Sequence, residues 1–327
     1  MPGFTFPIES HKLTNGVDIP MVGFGCAFGN WNEENKSSFF GFQPDLGCFA
    51  IPAAIRAGYN HFDGAFIYGT HRILGSALGA ELMTGKKSRN DFFITTKVFH
   101  PPVGIALNKI EKSFDFSDSK VMENIKERVL YDFERSLDEL SFGYVDLLLM
   151  HWPGQFNSTN EAENRERRKQ CWEAFEEIYA SGRTRAIGVS NFQIKHLTTL
   201  MEDTKVMPMV NQIEISPYIQ QKELVNFCQQ NGIHPVAWAP FGSGQTGVLQ
   251  DPVIVALAEK HRKNVGQIIL RWLIQQQISV LPKSSSEARM CSNLDVFDFS
   301  LSPDEIQSLK ELDRNVTSVG ASSVNIA

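Results

Sequence analysis

The stretch that decides the fold is Lys120–His151, which runs KVMENIKERVLYDFERSLDELSFGYVDLLLMH. Up to Leu140 it places apolar residues at four-residue steps with charged residues between them, as expected for a helix that packs on one side. Its last part, Tyr144–His151, is a mainly apolar run, which suits a strand buried on both faces of a parallel sheet. The stretch therefore predicts one helix–strand unit of an α/β protein.

The same alternation extends along the chain in both directions. Seven more apolar runs have the length of buried strands: Met21–Cys26, His61–Ala65, Phe92–Val98, Thr184–Ser190, Met209–Ile215, His234–Pro240 and Ser279–Ser284. Further helices are predicted at Cys171–Gly182 and after Ser302, where Ser-Pro-Asp-Glu combines a capping box with a proline in the first turn. About eight strand–helix alternations favour a closed (β/α)8 barrel, the TIM barrel, over an open doubly wound sheet. The segment Phe4–Pro20, with Asn15-Gly16 at its turn, predicts an N-terminal β-hairpin.

Composition and charge limit the kind of protein. The 327 residues include 42% hydrophobic and 21% charged side chains, with a formal net charge of −6, which argues against disorder and against a nucleic-acid partner. Neither a signal-peptide core nor an apolar run of membrane-spanning length is present, so no membrane segment is expected. With no linker or composition shift, residues 1–327 are predicted to form a single domain, and a monomer is favoured over an oligomer.

The cysteines point to the compartment. The chain has five, and none lies within four residues of another. This spacing favours neither a disulfide framework nor a metal site, so we expect a reducing, cytoplasmic location and no bound metal. Cys26 is expected to be a small packed core residue.

Polar residues occur at or near the ends of three consecutive predicted strands. Asp63 belongs to the second strand and Tyr68 follows five residues later, Lys97 lies in the third strand, and His151 closes the fourth. In a barrel these strand ends meet at the face where active sites are built. On position alone, a shared functional site and separate structural roles stay equally open.

The chemistry of these side chains favours reduction of a carbonyl group. A buried lysine beside a tyrosine favours the phenolate and should lower the tyrosine pKa, so that the tyrosine can donate a proton near neutral pH. The aspartate would keep the lysine charged, and a neutral histidine would orient the carbonyl oxygen. Since no side chain delivers hydride, a nicotinamide cofactor is implied.

Over nearly its whole length the chain resembles the aldo-keto reductases. The matching segments, in order, are GYNHFDGAFIYG (Gly58–Gly69), ITTKV (Ile94–Val98), YVDLLLMHWP (Tyr144–Pro153), RAIGVSNF (Arg185–Phe192), VNQIEISPYIQQKEL (Val210–Leu224), VAWAPFGSG (Val236–Gly244) and LPKSSSEAR (Leu281–Arg289). The resemblance implies a catalytic tetrad of Asp63, Tyr68, Lys97 and His151. It also implies NADPH-dependent reduction of an aldehyde or ketone, a small-molecule substrate, with the proton coming from Tyr68. The alternative is a catalytically weak NADPH-binding regulatory or scaffold protein on the same barrel.

The resemblance also implies a set of cofactor-binding residues. Ser190, Asn191 and Gln212 match residues that hydrogen-bond the nicotinamide carboxamide. Trp238 takes the place of an aromatic residue, usually tyrosine, whose ring stacks on the nicotinamide. The positions that match the loop around the adenosine 2′-phosphate, and a residue near the adenine, are Lys283, Ser284, Arg289 and Asn293.

Histidines and charged residues outside the predicted site are expected to have structural rather than catalytic roles. Thr70-His71 replace the Asn-Glu pair that frequently follows the tyrosine in the family. We expect surface positions for His71, His100, His196 and His261. The run Arg165–Lys169 is interpreted as a solvated helix face, because glutamates flank it.

Two connections, Gly29–Leu46 and Phe99–Ser119, are unusually long and follow predicted strands, which puts both at the C-terminal face of a barrel. Their aromatic residues are Trp31, Phe39, Phe40, Phe42, Phe99, Phe114 and Phe116. Three locations are open to these rings: the outer helices, a partner interface, or the wall of the substrate pocket. Our hypothesis is that at least one loop lines the pocket and favours apolar or aromatic carbonyl compounds over free sugars.

Overall fold

A short hairpin precedes the barrel in the computed structural model, which describes residues 8–29, 43–98, 124–154, 160–318 and 326. Strands β1 (Ser10–Lys12) and β2 (Asp18–Pro20) pair antiparallel, as predicted. At the turn, Gly16 has a φ of +88°, a backbone conformation that costs little only for glycine.

Eight parallel strands then form one sheet in chain order. They are β3 (Phe24–Gly25), β4 (His61–Asp63), β5 (Phe93–Val98), β6 (Val145–Met150), β7 (Thr184–Ser190), β8 (Val210–Glu214), β9 (His234–Trp238) and β10 (Ser279–Leu281). A parallel bridge joins Val22, two residues before β3, to Val280 in β10, and the Gly23 N–H donates to the Val280 carbonyl at 2.8 Å. The sheet thereby closes into the predicted (β/α)8 barrel.

Each of the eight predicted apolar runs contains one of these strands. The runs are longer than the strands in most cases because apolar residues that flank a strand are also buried. Met21, Val22 and Cys26, for example, lie in the core beside the two-residue strand β3.

Helices cover the outside of the barrel. They are α1 (Gly47–Ala57), α2 (His71–Met83), α3 (Ile125–Leu140), α4 (Glu161–Ala180), α5 (Ile194–Asp203), α6 (Lys222–Gln230), α7 (Pro252–His261), α8 (Val265–Gln275), α9 (Glu287–Leu294) and α10 (Pro303–Lys310). The capping box at Ser302 is present, with Glu305 as its partner. Across the ranges described, no helix is both long enough and apolar enough to cross a membrane.

Two helices begin at other residues than predicted, because polar side chains cap the start of one helix and are buried in the first turns of the other. The helix predicted from Lys120 begins at Ile125, because Asn124 has an extended backbone and its side chain caps the Glu127 N–H. The helix predicted from Cys171 begins ten residues earlier, at Glu161. Its first turns carry few apolar residues and bury Asn164 and Arg168 instead.

Several expected surface residues are buried, and those predictions are wrong. His71 and His196 are buried, and His261 is partly buried against Glu305. Within the run predicted as solvated, Arg168 is buried and donates from Nη1 to the Pro153 carbonyl at 3.0 Å. Each of these groups has a hydrogen-bonding partner remote in sequence, which offsets part of the cost of burying it.

Some predictions fall outside the described residues. His100, the connection 99–119 and most of the connection 29–46 belong to this group, together with all seven aromatic residues of the two loops. Of the first connection, Gly29 and the end from Gln43 are described, and Pro44–Leu46 form one turn of 3-10 helix before α1.

Candidate active site

Strands β4 and β5 bring an acidic and a basic side chain into contact. Asp63 is the last residue of β4 and lies in register with Thr95 of β5, two residues before Lys97. The Lys97 ammonium donates to Asp63 Oδ2 at 2.7 Å and to the Gly64 carbonyl at 2.9 Å. Lys97 is only 1% exposed, so these bonds offset the cost of burying its charge.

Tyr68 reaches the same ammonium from the loop after β4. It ends a turn of 3-10 helix (Phe66–Tyr68), and its hydroxyl oxygen lies 3.4 Å from Lys97 Nζ. The same oxygen lies 3.4 Å from Nε2 of His151, the first residue after β6. The structure therefore brings all four residues of the predicted tetrad together at the C-terminal face of the barrel.

Burial fixes the charge states of the basic members of this group. Burial, and then the nearby Lys97 ammonium, hold the pKa of His151 well below its usual range, so the imidazole is neutral. Burial also lowers the pKa of Lys97, while the Asp63 carboxylate acts in the opposite direction. A neutral histidine next to a charge-compensated lysine matches the expectation from the sequence.

The expected effect on the tyrosine is wrong. The pKa of Tyr68 lies well above its usual value, because burial and then the Asp63 carboxylate disfavour the phenolate. The Lys97 charge does not reverse this, since the ammonium is closer to Asp63, at 2.7 Å, than to the phenol oxygen, at 3.4 Å. Tyr68 therefore keeps its proton, which is the state that a proton donor requires before it acts.

Amide side chains from the middle of β8 and from the residue after β7 lie next to this group. The Gln212 side-chain amide donates to Asp63 Oδ1 at 2.8 Å, and the Ser190 hydroxyl donates to the Gln212 carbonyl at 2.8 Å. Asn191 donates to the His151 carbonyl at 3.0 Å and accepts a bond of 3.0 Å from the Trp238 indole N–H. The four predicted nicotinamide-binding residues thus lie beside the tetrad.

A second cluster of predicted cofactor residues follows β10. Lys283 and Ser284 come directly after this strand, and Arg289 lies in the first turn of α9, with its Nε 3.4 Å from Ser284 Oγ. The loop thus holds two basic side chains, and burial and then the Arg289 cation lower the pKa of Lys283. Such a pair of basic side chains suits a phosphate group. Asn293 is buried one helical turn beyond Arg289.

These residues fit a nicotinamide dinucleotide phosphate at both of its ends. Amide groups and an indole ring lie beside Tyr68, and cations lie at the edge of the barrel after β10. Among the residues described, no group of three or more His, Cys, Asp or Glu side chains is placed to hold a metal ion.

Sequence reasoning missed two residues that support the site. Gly64 provides a carbonyl acceptor for Lys97, and His71 is buried against Gly64. The available signal was the Thr70-His71 pair, which departs from the family pattern only three residues beyond Tyr68.

Comparison with known proteins gives a consistent result. Residues 27–314 match the model of the Aldo/keto reductase family. The glyoxal reductase of Bacillus subtilis is 36% identical over 308 residues, 94% of each chain. The 9,11-endoperoxide prostaglandin H2 reductase of Trypanosoma cruzi is 34% identical over 304 residues, 93% of this chain and 91% of its own. A crystal structure of a Bombyx mori aldo-keto reductase in complex with NADP has a TM-score of 0.79 and 30% identity, covering 96% of this chain and 95% of that one. By sequence and by fold, the chain belongs to the aldo/keto reductase family.

Proposed function

We propose that this protein reduces an aldehyde or ketone to an alcohol, with hydride from NADPH and a proton from Tyr68. Membership of the family makes it an NADP-dependent oxidoreductase that acts on carbonyl or alcohol groups. The observation that carries the proposal is the buried chain of contacts from Asp63 through Lys97 to Tyr68.

The cofactor contacts follow from the two clusters. Lys283, Ser284 and Arg289 would hold the 2′-phosphate, which is a dianion that prefers charged, forked donors. Ser190, Asn191 and Gln212 would bind the carboxamide, and the Trp238 ring would pack against the nicotinamide. The bound cofactor supplies the hydride, which no side chain can deliver.

Each member of the tetrad has a separate task. Tyr68 holds the proton at its phenol oxygen, and the Lys97 ammonium stabilises the negative charge that develops there as the proton leaves. Asp63 keeps the ammonium in place and charged, with its second oxygen bound to Gln212. His151, being neutral, would orient the substrate carbonyl by a hydrogen bond from its ring N–H.

The choice of substrate has to be tested broadly. The names of the relatives point to different compounds, glyoxal in one and prostaglandin H2 in another. A suitable experiment measures NADPH consumption with aldoses, aliphatic aldehydes, aromatic aldehydes and ketosteroids in parallel. We expect steady turnover of at least one class. Tight NADPH binding without turnover of any class would instead indicate a regulatory or scaffold protein.

We further propose that residues 1–327 act as one barrel domain, as a monomer in the cytoplasm. All five cysteines are free, and Cys26 and Cys171 are fully buried, which suits a reducing compartment. Size-exclusion chromatography with light scattering would test the monomer, since a mass of twice that of the chain would contradict it.

A further inference from the structure

A buried polar pair lies directly behind the site. His71 is the first residue of α2, three residues after Tyr68, and is only 1% exposed. Its Nε2 forms a hydrogen bond of 3.0 Å with the hydroxyl of Thr96, the neighbour of Lys97 in β5. The pair therefore connects the element after Tyr68 with the strand that carries Lys97.

Thr96 faces the helix layer rather than the barrel interior. Successive side chains of a strand alternate between its faces, so Thr96 and Lys97 lie on opposite sides of β5. On the helix side, Glu139 of α3 places Oε2 3.7 Å from His71 Nδ1. A hydroxyl and an imidazole are costly to bury unless they are bonded, and a valine would fill the place of Thr96 without that cost. The pair therefore calls for a reason other than packing.

Gly64 lies between this pair and Lys97. Its N–H donates to the Thr95 carbonyl at 2.9 Å, and its own carbonyl accepts from Lys97 Nζ at 2.9 Å. A Cβ atom at this position would lie 3.3 Å from the His71 ring, so the ring rests against the glycine backbone. Residues 64–71 connect β4 to the start of α2. The two ends of this loop are hydrogen-bonded to consecutive residues of β5, Gly64 to Thr95 and His71 to Thr96.

Tyr68 lies within this doubly tied loop. The contact between its oxygen and Lys97 Nζ is 3.4 Å, which is long for a hydrogen bond and too weak to hold the loop by itself. The Thr70 hydroxyl donates to the Cys26 carbonyl at 3.2 Å, which ties the loop towards β3. On the far side of Tyr68 from Gly64, the loop is tied to β5 by the hydrogen bond between His71 and Thr96.

We propose that His71 and Thr96 are positioning residues that set the Tyr68 oxygen relative to Lys97 Nζ. The inference rests on the proposed function in so far as Tyr68 is the proton donor. Neither residue touches the substrate, and both act through the loop 64–71. Small misplacements of a catalytic group are costly, so loss of the tie should appear in kcat rather than in cofactor affinity.

The test compares three substitutions. Thr96→Val removes the hydroxyl at nearly constant shape, and His71→Leu removes the ring nitrogens. His71→Gln keeps an amide group near the place of Nε2. We expect the first two to lower kcat about tenfold while the Kd for NADPH stays within about twofold. The double variant should lose no more than the worse single variant, because both remove one bond. His71→Gln should keep most of the wild-type kcat that His71→Leu loses.

A matched control separates positioning from stability. Thr184 is another buried strand threonine, and its hydroxyl donates to the Ala186 carbonyl at 2.8 Å, at the opposite end of the barrel from Tyr68. Thr184→Val should lower the Tm by a similar amount to Thr96→Val and leave kcat unchanged. Hydrogen–deuterium exchange gives a second readout without turnover. Amides of residues 64–71 should exchange faster in Thr96→Val and at the wild-type rate in Thr184→Val.

Three results would overturn the proposal. They are wild-type kcat in Thr96→Val, additive losses in the double variant, and unchanged exchange of residues 64–71. A wild-type protein that turns over no carbonyl compound would refute the proposed function separately, and the exchange comparison would still decide whether the tie exists.

Discussion

Replacing Tyr68 by phenylalanine tests the proposed chemistry most directly. The side chain is 9% exposed, and its hydroxyl lies 3.4 Å from both Lys97 Nζ and His151 Nε2. Two contacts of this length contribute little, so we expect the free energy of unfolding to change by about 1 kcal/mol or less. General acid catalysis contributes about a hundredfold to ten-thousandfold in rate, which corresponds to about 2.7–5.4 kcal/mol in the activation free energy. The substitution should therefore affect the rate far more than the stability.

The assay measures three quantities on the same preparation. They are kcat from NADPH consumption at saturating substrate, the Kd for NADPH from quenching of protein fluorescence, and the Tm. For Tyr68→Phe we expect kcat to fall at least about a hundredfold, with an unchanged Kd and a nearly unchanged Tm.

Tyr218→Phe is the matched control. This tyrosine is also buried, and its hydroxyl donates to Asp251 Oδ2 at 2.7 Å, a short bond to a charged acceptor. Losing it should cost about 1.5–3 kcal/mol of stability, with no change in kcat. Tyr68→Phe should thus lose activity with little loss of stability, and Tyr218→Phe should lose stability with no loss of activity.

A Tyr68→Phe enzyme with kcat close to that of the wild type would refute the assignment of the proton to Tyr68. A parallel loss of NADPH affinity would refute it in another way, because the hydroxyl would then act in cofactor binding.

The remaining predictions concern the cofactor, the lysine and acid stability. Arg289→Ala should reduce the preference for NADPH over NADH at least about tenfold, because the 2′-phosphate loses a forked cation; equal efficiency with both cofactors in the wild type would contradict this. Asp63→Asn removes the carboxylate that raises the Lys97 pKa against the effect of burial, so the Lys97 pKa should fall. The alkaline limb of the kcat–pH profile should then move to lower pH, and an unmoved limb would argue against a functional Asp63–Lys97 pair. Burial lowers the pKa of His61 to about 4 and that of His234 to about 3, below the unfolded value of about 6.5. The unfolded chain therefore binds more protons, and the stability gained from neutral rings is complete above about pH 6.5 and lost as the pH falls towards 4. Urea unfolding across this window should show a slope of up to about 1.4 kcal/mol per pH unit for each histidine, and a flat profile would show that the rings protonate without cost.

The barrel and the tetrad could be predicted because their signals are local. A strand buried on both faces is mostly apolar, and Tyr144–His151 shows this in the sequence, with Asp146 as its internal exception. Asp63, Lys97 and His151 could be grouped because all parallel strands of a barrel end at the same face. Position along the strands still left separate structural roles open, and the tetrad was assigned from the resemblance to the aldo-keto reductases.

The residues that could not be predicted depend on partners remote in sequence. The environment of His71 is set by Thr96, and that of His196 by the carbonyl of Ile326, which lies 2.8 Å from its Nε2. A polar residue on a helix gives no local sign of such a partner. The prediction of a lowered Tyr68 pKa was wrong for a related reason. The sequence shows that Asp63 and Lys97 are neighbours of Tyr68, but it does not show that the Lys97 ammonium lies closer to Asp63 than to the Tyr68 oxygen.

The bridge between Val22 and Val280 has a consequence for synthesis on the ribosome. It joins the start of the barrel to its last strand, β10, so ring closure requires that the chain up to β10 has left the ribosome. Until then the growing sheet has two open edges, with unpaired N–H and C=O groups that can pair with another chain. Pairing of segments so remote in sequence is also slow. We therefore expect the protein to be most exposed to aggregation while it is being made, and to lose that exposure when β10 closes the ring.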